Sequence, residues 1–480
     1  MGAYRMTDAA RLAATRRGCL VAWAGFGKTH LIAEAIAKYP DEKRQLVLTH
    51  THAGVASLRS KLRQVGARSN SARVDTIAGW CFQYVVSFPE TSGIGGVLPS
   101  DAAGWSRIHG AMSKMLELRW VRDIVSTSYS GVYVDEYQDC TEEQHAVVCR
   151  LAEFLPCRVL GDPMQGIFEF TGDMVDWDRD VRTMFDSLPE LTTPWRWVES
   201  NPALGSWLIS ARKSLEMKGS LDLRDPAVQW RRLPESKAAA AIEKSKVCQE
   251  KMACSGSLVA IATWAGQCHN MAKKLSGVYS CVEKVDLDEL YDYADRISQT
   301  SGLDRAGAVL EFAGCCMSNV SSANKWIANA LERGNVVKPG AKYYRQYVSL
   351  SRVVAAGHDG MADAVIGAID EITQVEGCHV YRRELLSEMR HSLREYATGR
   401  FSSLREAAWH ARNATRQVAR TPRGKLLGRT LLVKGLEFEH AVVLDAEQMD
   451  ARNLYVAITR GSRSLTVLAR QPVLTVQPRK

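Results

Sequence analysis

The chain has 480 residues, of which 46% are hydrophobic and 24% are charged, and its formal net charge is +9. These proportions are those of an ordinary globular protein of two to four domains, and a basic balance gives only a weak preference for polyanionic partners. The sequence has no apolar run of about 18 residues and no secretory signal, so we expect no membrane span and a cytoplasmic location. The twelve cysteines include no Cys-x-x-Cys pair, which argues against a disulfide framework or a structural zinc site.

Residues 17–65 alternate between strand and helix patterns. A short apolar run at 17–23 (RGCLVAW) is followed by residues 29–39, whose apolar positions fall on one helical face. A second apolar run at 45–51 (QLVLTHT) precedes another helical segment at 53–65. Strands that alternate with helices predict a parallel α/β sheet.

The first candidate site is a glycine-rich loop at 22–29 (AWAGFGKT), between the first strand and the first of these helices. Backbone N–H groups around Gly25 and Gly27 can wrap a phosphate chain, and the helix N-terminus adds partial positive charge. In this interpretation Lys28 reaches the β- and γ-phosphates and Thr29 holds Mg²⁺. The alternative is a plain turn.

Two adjacent carboxylates follow the strand at 131–134, in the segment VYVDEYQD. Neighbouring carboxylates repel each other unless a cation shares the site. We therefore predict that Asp135 binds Mg²⁺, directly or through water, and that Glu136 orients and deprotonates the attacking water. The alternative is a solvated acidic turn.

A third site follows the strand at 157–160, in the segment 161–170 (GDPMQGIFEF). Gln165 can contact both the γ-phosphate and the nucleic-acid side, which makes it a candidate coupler. Phe168 and Phe170 are candidates for stacking on bases, and the alternative is that both belong to the core.

Three strands of this lobe end near Gly25, Asp135 and Asp162. Ligands of open α/β sheets bind at the carboxyl ends of the strands. The sequence therefore places the three candidate sites at one edge of one sheet.

A second lobe has strand patterns at 257–264, 441–445 and 464–469. A long, basic and mostly helical stretch separates the first of these from the others. We predict a first lobe at 1–87 and 128–190, a small insertion at 88–127, a second lobe at 191–285 and 421–480, and a mostly helical insertion at 286–420.

Two arginines complete the candidate site. Arg196 lies in the segment TPWRW at the start of the predicted second lobe, and Arg460 lies in LYVAITR near its end. A guanidinium that enters from a second lobe stabilises the charge of phosphoryl transfer and completes the site only when the lobes close. A lone arginine is usually a surface residue, so this assignment depends on the other motifs.

Taken together, these segments resemble the ordered motif set of the UvrD/Rep/PcrA-type superfamily 1 helicases. The matching segments, in chain order, are AGFGKT, LTHTHAGVASL (48–58), VDTIAGWC (74–81), VDEYQD, GDPMQGIFEF, PWRW, VKGLEFEH and YVAITRG. They cover about a quarter of the chain.

The resemblance implies an α/β fold of two RecA-like parallel-sheet lobes with helical insertions, with ATP and Mg²⁺ between the lobes. It also implies movement on single-stranded DNA, or on DNA with a single-stranded tail, generally in the 3′→5′ direction. By motif position Thr51, Thr76, Gly435 and Glu437 contact ATP or DNA.

The chain departs from the family pattern at three positions. Ala10 replaces the glutamine that reads adenine, Thr171 replaces the arginine that closes the third motif, and Leu431 replaces a histidine before Lys434. The chain is also shorter than the classical helicases of the family, so its insertions are reduced, which favours translocation or DNA-gated ATP hydrolysis over processive unwinding.

Two other functions stay open. The chain resembles compact family members, such as those of the anti-phage Gabija systems, so it is also a candidate regulatory ATPase that senses nucleic acid and gates a partner such as a nuclease. An RNA helicase fits the motif details less well.

Overall fold

The structure is a computed structural model that describes residues 6–95, 102–167, 174–282, 287–416 and 424–475. Its contacts divide the chain into two compact units. Unit 1 holds the described residues of Met1–Gly219 together with Asp450–Arg463, and unit 2 holds those of Ser220–Met449 together with Ser464–Thr475. The segments 191–219 and 450–463, which we expected in the second lobe, are thus grouped with unit 1.

The strands of the described residues are, in chain order, β1 (Arg17–Val21), β2 (Arg44–Thr49), β3 (Ala72–Thr76), β4 (Tyr129–Val134), β5 (Cys157–Gly161), β6 (Asp186–Ser187), β7 (Ser220–Asp222), β8 (Gln229–Arg232), β9 (Leu258–Ala262), β10 (Tyr279–Cys281), β11 (Met317–Ser318), β12 (His379–Val380), β13 (Lys425–Arg429), β14 (Phe438–Val443), β15 (Gly461–Ala469) and β16 (Val473–Thr475).

The α-helices are α1 (Asp8–Ala14), α2 (Lys28–Lys38), α3 (His52–Gln64), α4 (Ile77–Ser87), α5 (Pro89–Ser92), α6 (Ala102–Met115), α7 (Arg119–Ser128), α8 (Glu142–Phe154), α9 (Arg182–Met184), α10 (Trp195–Val198), α11 (Pro202–Glu216), α12 (Lys237–Glu250), α13 (Ala265–Lys274), α14 (Leu287–Gln299), α15 (Gly302–Cys316), α16 (Ser321–Glu332), α17 (Tyr344–Ala355), α18 (Met361–Thr373), α19 (Arg383–Ala397), α20 (Leu404–Arg416), α21 (Thr430–Val433) and α22 (Ala451–Ile458).

The sheet of unit 1 has the strand order β3-β2-β4-β5-β1-β6, and every neighbouring pair is parallel. Alternate residues of its strands enter two different cores, one that holds Cys19 and Val132 and one that holds Leu20 and Tyr133. A parallel sheet covered on both faces needs such apolar runs. Because β1, β5 and β4 are neighbours, the three predicted strand ends lie side by side.

The sheet of unit 2 has the order β10-β13-β9-β14-β15-β8, with β13 parallel to both β10 and β9, β9 parallel to β14, and β15 parallel to β8. The two sheets and their surrounding helices confirm the predicted fold class, α/β with two RecA-like parallel-sheet lobes and helical insertions.

The described part of the predicted insertion at 286–420 contains α14 to α20 and one short antiparallel pair, β11 with β12. These helices enclose an apolar core of their own, which includes Leu290, Phe312, Ile369 and Met389. The described part of the segment 88–127 contains α5 to α7, and Met112 of α6 packs into a core of unit 1.

None of the helices in the described ranges combines the length and the apolar character that a membrane-crossing segment requires.

Candidate active site

The glycine-rich loop joins β1 to α2 in unit 1. Gly25 and Gly27 have φ angles of +76° and +86°, a left-handed conformation that residues with a Cβ rarely adopt. A Cβ on Gly25 would also lie 2.6 Å from the ring of Trp197. The loop therefore needs glycine at this position, both for its turn and for the close approach of the tryptophan.

Lys28 and Thr29 open helix α2. The Lys28 ammonium is buried and donates to the carbonyl oxygen of Ala22 over 2.9 Å, so it is folded over the loop. The hydroxyl of Thr29 donates to Asp135 Oδ2 over 2.8 Å. The loop and the first of the two carboxylates, 106 residues apart in the chain, thus meet at one place.

Asp135 follows β4 and is buried. Burial, which penalises the charged form, and the neighbouring Glu136 carboxylate raise the pKa of Asp135 to about 6. Lys28 and the Thr29 hydroxyl act in the opposite direction, since both stabilise the ionised form. Because burial and the Glu136 carboxylate both disfavour the ionised form of Asp135, a cation bound beside it would stabilise that form.

Glu136 is in the left-handed region, at φ +58° and ψ +41°. This conformation costs a residue with a Cβ on the order of 1–3 kcal/mol, and such strain is often found at functional sites. Gln138 Nε2 donates to Glu136 Oε2 over 2.5 Å, and the side-chain oxygen Oε1 of Gln138 accepts from the backbone N–H of Asp162 over 2.8 Å. Gln138 therefore orients the Glu136 carboxylate and connects it to the end of β5.

Asp162 and Gln165 form a tight turn after β5. Gln165 Nε2 donates to Asp162 Oδ2 over 2.9 Å, and both side chains are buried. The side-chain oxygen Oε1 of Gln165 accepts from Arg460 Nη2 over 3.3 Å. A line of hydrogen bonds, one of them through the backbone N–H of Asp162, thus runs from Glu136, through Gln138 and this turn, to Arg460.

The two predicted arginines both lie in unit 1. The backbone N–H of Arg196 donates to the carbonyl oxygen of Gly25 over 3.0 Å, and its Nη1 donates to Thr459 O over 2.7 Å. Arg460 is buried, and its Nε donates to Val456 O over 2.8 Å. Arg196 is therefore next to the loop, and Arg460 is next to Gln165.

Two residues of this site were missed by the sequence analysis, Arg212 of α11 and Tyr455 of α22. Arg212 pairs with Asp162 over 2.5 Å and lies between the rings of Trp23 and Tyr455, 4.7 and 4.9 Å from their centres. The Tyr455 hydroxyl accepts from Ala24 N over 3.0 Å and donates to Asp162 Oδ2 over 3.2 Å. Tyr455 lies in the segment LYVAITR, which the sequence had marked, whereas no local pattern marks Arg212.

Other predicted residues lie apart from this cluster or outside the described residues. Thr51 and Thr76 cap α3 and α4, next to the carboxyl ends of the neighbouring strands β2 and β3. Gly435 and Glu437 are exposed in unit 2, and Gly435 has a φ of +77°. Phe168, Phe170 and Thr171 lie outside the described residues. The stacking role of the two phenylalanines therefore stays a prediction.

No protein-family model and no curated protein matches the chain. Among solved structures, it is similar to the helicase nonstructural protein 10 of an arterivirus in complex with DNA, at 13% identity and a TM-score of 0.26, over 53% of this chain and 48% of that one. It is also similar to the Pif1 helicase of Candida albicans, at 12% identity and a TM-score of 0.27, over 52% of this chain and 55% of that one. The chain thus spans about half the length of each.

Proposed function

We propose that the chain hydrolyses ATP with Mg²⁺ and uses the energy to move 3′→5′ on single-stranded DNA, as a translocase or helicase. The observation that carries this proposal is the line of contacts from Glu136 through Gln138, Asp162 and Gln165 to Arg460. A hydrolytic carboxylate, a coupling amide and a guanidinium are then parts of one network.

The residues of the loop fit a nucleoside triphosphate with Mg²⁺. Thr29 and Asp135, whose side chains are 2.8 Å apart, offer the hydroxyl and carboxylate oxygens that Mg²⁺ prefers. When bound, the ion would neutralise charge on the phosphates. Lys28 and the N–H groups at the start of α2 provide the positive charge that binds the triphosphate, and Glu136 orients the attacking water and accepts its proton.

Thr51 and Thr76 support the assignment of a nucleic-acid surface to unit 1. Each side chain caps the N-terminus of a helix, Thr51 by accepting from Gly54 N over 3.0 Å and Thr76 by accepting from Gly79 N over 2.9 Å. Helix N-termini favour phosphate groups. β2 and β3, which precede these helices, belong to the sheet that carries the glycine-rich loop.

The decisive experiment measures phosphate release from ATP by the full chain, with and without a single-stranded DNA oligonucleotide and with a matched RNA. We expect stimulation by DNA and displacement of a strand from a duplex with a 3′ tail. Lys28→Ala should lower turnover by about 10²–10³-fold, because it removes a charge that stabilises the transferred phosphoryl group. Lys38→Ala, an exposed lysine at the other end of the same helix, is the matched control and should keep wild-type turnover.

The outcomes separate the proposal from its alternatives. Stimulation by DNA without strand displacement or movement would assign the chain to the regulatory ATPases that gate a partner such as a nuclease. Stimulation by RNA alone would make it an RNA-dependent enzyme. Turnover that Lys28→Ala leaves unchanged would refute the phosphate loop itself.

A further inference from the structure

The surface of unit 2 carries a cluster of cations at the α16–α17 turn, far along the chain from every residue assigned above. Residues 325–345 contain five cations and one carboxylate, Glu332, hence a net charge of +4 in 21 residues, against +9 for the whole chain. All five cations are exposed. We call this cationic surface the α16–α17 surface and define it by Lys325, Arg333, Lys338, Lys342 and Arg345.

Several other cations of the same helical insertion are paired with carboxylates. Arg296, Arg400 and Arg405 are paired with carboxylates at 2.6, 3.6 and 2.8 Å. None of the five cations of the α16–α17 surface forms an ion pair with a described residue. Their charge is therefore not compensated locally and is available to a polyanion.

The cations are held on an ordered piece of backbone. Lys325 lies in α16, and Arg333 is the C-cap residue that follows this helix; eight residues correspond to about 12 Å along a helix axis. In the connection to α17, the Tyr347 hydroxyl donates to Asn335 O over 2.7 Å, and Ala341 N donates to Lys338 O over 3.2 Å. These bonds close the loop and fix the backbone that carries Lys338 and Lys342.

Aromatic and apolar side chains are interleaved with these charges. Trp326 is 37% exposed and meets the ring of Tyr343 edge-on, at 5.7 Å between centres. The Lys342 ammonium lies 5.5 Å from the centre of the Tyr343 ring, and Val336 at the loop tip is 93% exposed. Cations that track a phosphate backbone next to aromatic rings that bases can stack on are the combination found at single-strand binding surfaces.

We propose that the α16–α17 surface binds single-stranded nucleic acid as a second contact outside the sheet of unit 1, an inference that rests on the proposed function and adds a site to it. The cations contact phosphates, and Trp326 stacks on a base. A duplex offers phosphates but no unstacked base, so the exposed tryptophan favours the single strand.

The test replaces three cations, Lys338→Gln, Lys342→Gln and Arg345→Gln, in one variant of the full chain. Its matched control replaces three ion-paired arginines of the same insertion, Arg296→Gln, Arg400→Gln and Arg405→Gln, so the net charge falls equally. Both are made in the Lys28→Ala background, so that binding is measured without turnover. The readout is the fluorescence anisotropy of a labelled single-stranded oligonucleotide across a salt series.

Each phosphate contact to a single strand contributes about 0.7 to the slope of log K against log salt. The test variant should therefore lose about 2 from this slope, and the control should keep it. Trp326→Ala should weaken single-strand binding roughly fivefold or more and leave duplex binding unchanged, whereas Trp120→Ala, a tryptophan of similar exposure in unit 1, should change neither. Thermal unfolding checks that every variant is folded.

Equal slopes for the wild type, the test variant and the control would overturn the inference, even if DNA still stimulates ATP turnover. Equal loss of duplex and single-strand binding, with no effect of Trp326→Ala, would assign the surface to duplex DNA instead. Displacement of the oligonucleotide by polyglutamate at equal charge would assign it to acidic polymers in general. If DNA fails to stimulate turnover but the slope still falls by about 2, the proposed function fails and this binding site stands.

Discussion

Arg212 donates from Nη1 to Oδ1 of Asp162 over 2.5 Å, and the two side chains are only 2% and 0% exposed. The same carboxylate accepts from Gln165 and Tyr455, so one buried charge holds the turn after β5, helix α11 and helix α22 together. Losing the cation would leave this carboxylate buried and uncompensated.

We therefore expect Arg212→Met, which keeps most of the side-chain volume, to destabilise unit 1 by about 3–5 kcal/mol in chemical denaturation followed by tryptophan fluorescence. The control is Arg224→Met, whose pair with Asp222 is exposed and whose loss should leave the denaturation midpoint unchanged. Similar midpoints for the two variants would show that the buried pair contributes no more than the surface pair.

The catalytic role proposed for Glu136 predicts that Glu136→Gln loses ATP turnover and keeps ATP binding. The amide retains the size and the contact to Gln138 but cannot accept a proton from water. We expect turnover to fall about 10²–10⁴-fold, measured by phosphate release, with an unchanged Kd for a fluorescent ATP analogue. Glu142→Gln, an exposed first-turn residue of α8, is the control. Normal turnover by Glu136→Gln would place the base elsewhere.

Gly25→Ala tests the close approach of Trp197 to the glycine-rich loop. At φ +76° any Cβ is strained by about 1–2 kcal/mol, and here it would also meet the tryptophan ring at 2.6 Å. Gly66→Ala, at φ +74° with open space around it, carries the strain without the clash. The difference between the two variants in ATP affinity and in unfolding free energy isolates the clash, which should cost a further ~1–3 kcal/mol. Equal changes in the two variants would show that the contact with Trp197 adds no cost.

The raised pKa of Asp135 predicts a Mg²⁺ requirement that depends on pH. The pKa of Asp135 in the folded chain, about 6, lies above the ordinary value of 3.8. The contribution of Asp135 to the free energy of unfolding is therefore fully present below pH 3.8 and is lost as the pH rises through about 6. A protonated carboxyl does not bind Mg²⁺, so below pH 6 the Mg²⁺ concentration for half-maximal ATP binding should rise by up to about tenfold per pH unit. In Asp135→Asn the Mg²⁺ concentration for half-maximal ATP binding should not change between pH 5 and pH 7. A pH dependence that remains in this variant would show that another group titrates.

The local parts of the site could be read from the sequence, because each sits on a strand–loop–helix unit whose apolar pattern is short and continuous. β1, β4 and β5 end within a few residues of their predicted ends, and the helix predicted at 29–39 is observed at Lys28–Lys38. β3 and β13 were missed because ARVDT and KLLGR are short and carry charged residues.

The long-range contacts could not be read in this way. Ala24 and Tyr455 are 431 positions apart, and no periodicity connects them. The grouping of Arg196 and Arg460 with unit 1 depends on contacts such as that between Arg196 N and Gly25 O, which only the folded chain brings together. Motif order predicted a set of candidate residues, and tertiary packing decided which of them touch.

Tyr455 links the loop to Asp162 through one hydroxyl, which accepts from Ala24 N and donates to the carboxylate. Tyr455→Phe removes only this oxygen and leaves a buried N–H and a buried carboxylate oxygen each short of one partner. We expect a loss of about 1–3 kcal/mol of stability and a higher KM for ATP, because the loop backbone is no longer fixed at Ala24. Tyr279→Phe is the matched control: its buried hydroxyl donates to Cys248 O over 2.8 Å in unit 2, so it should lower stability to a similar degree and leave the KM unchanged. If both variants shift the KM equally, the effect comes from general destabilisation; a shift confined to Tyr455→Phe identifies the hydroxyl as a positioning group for the loop.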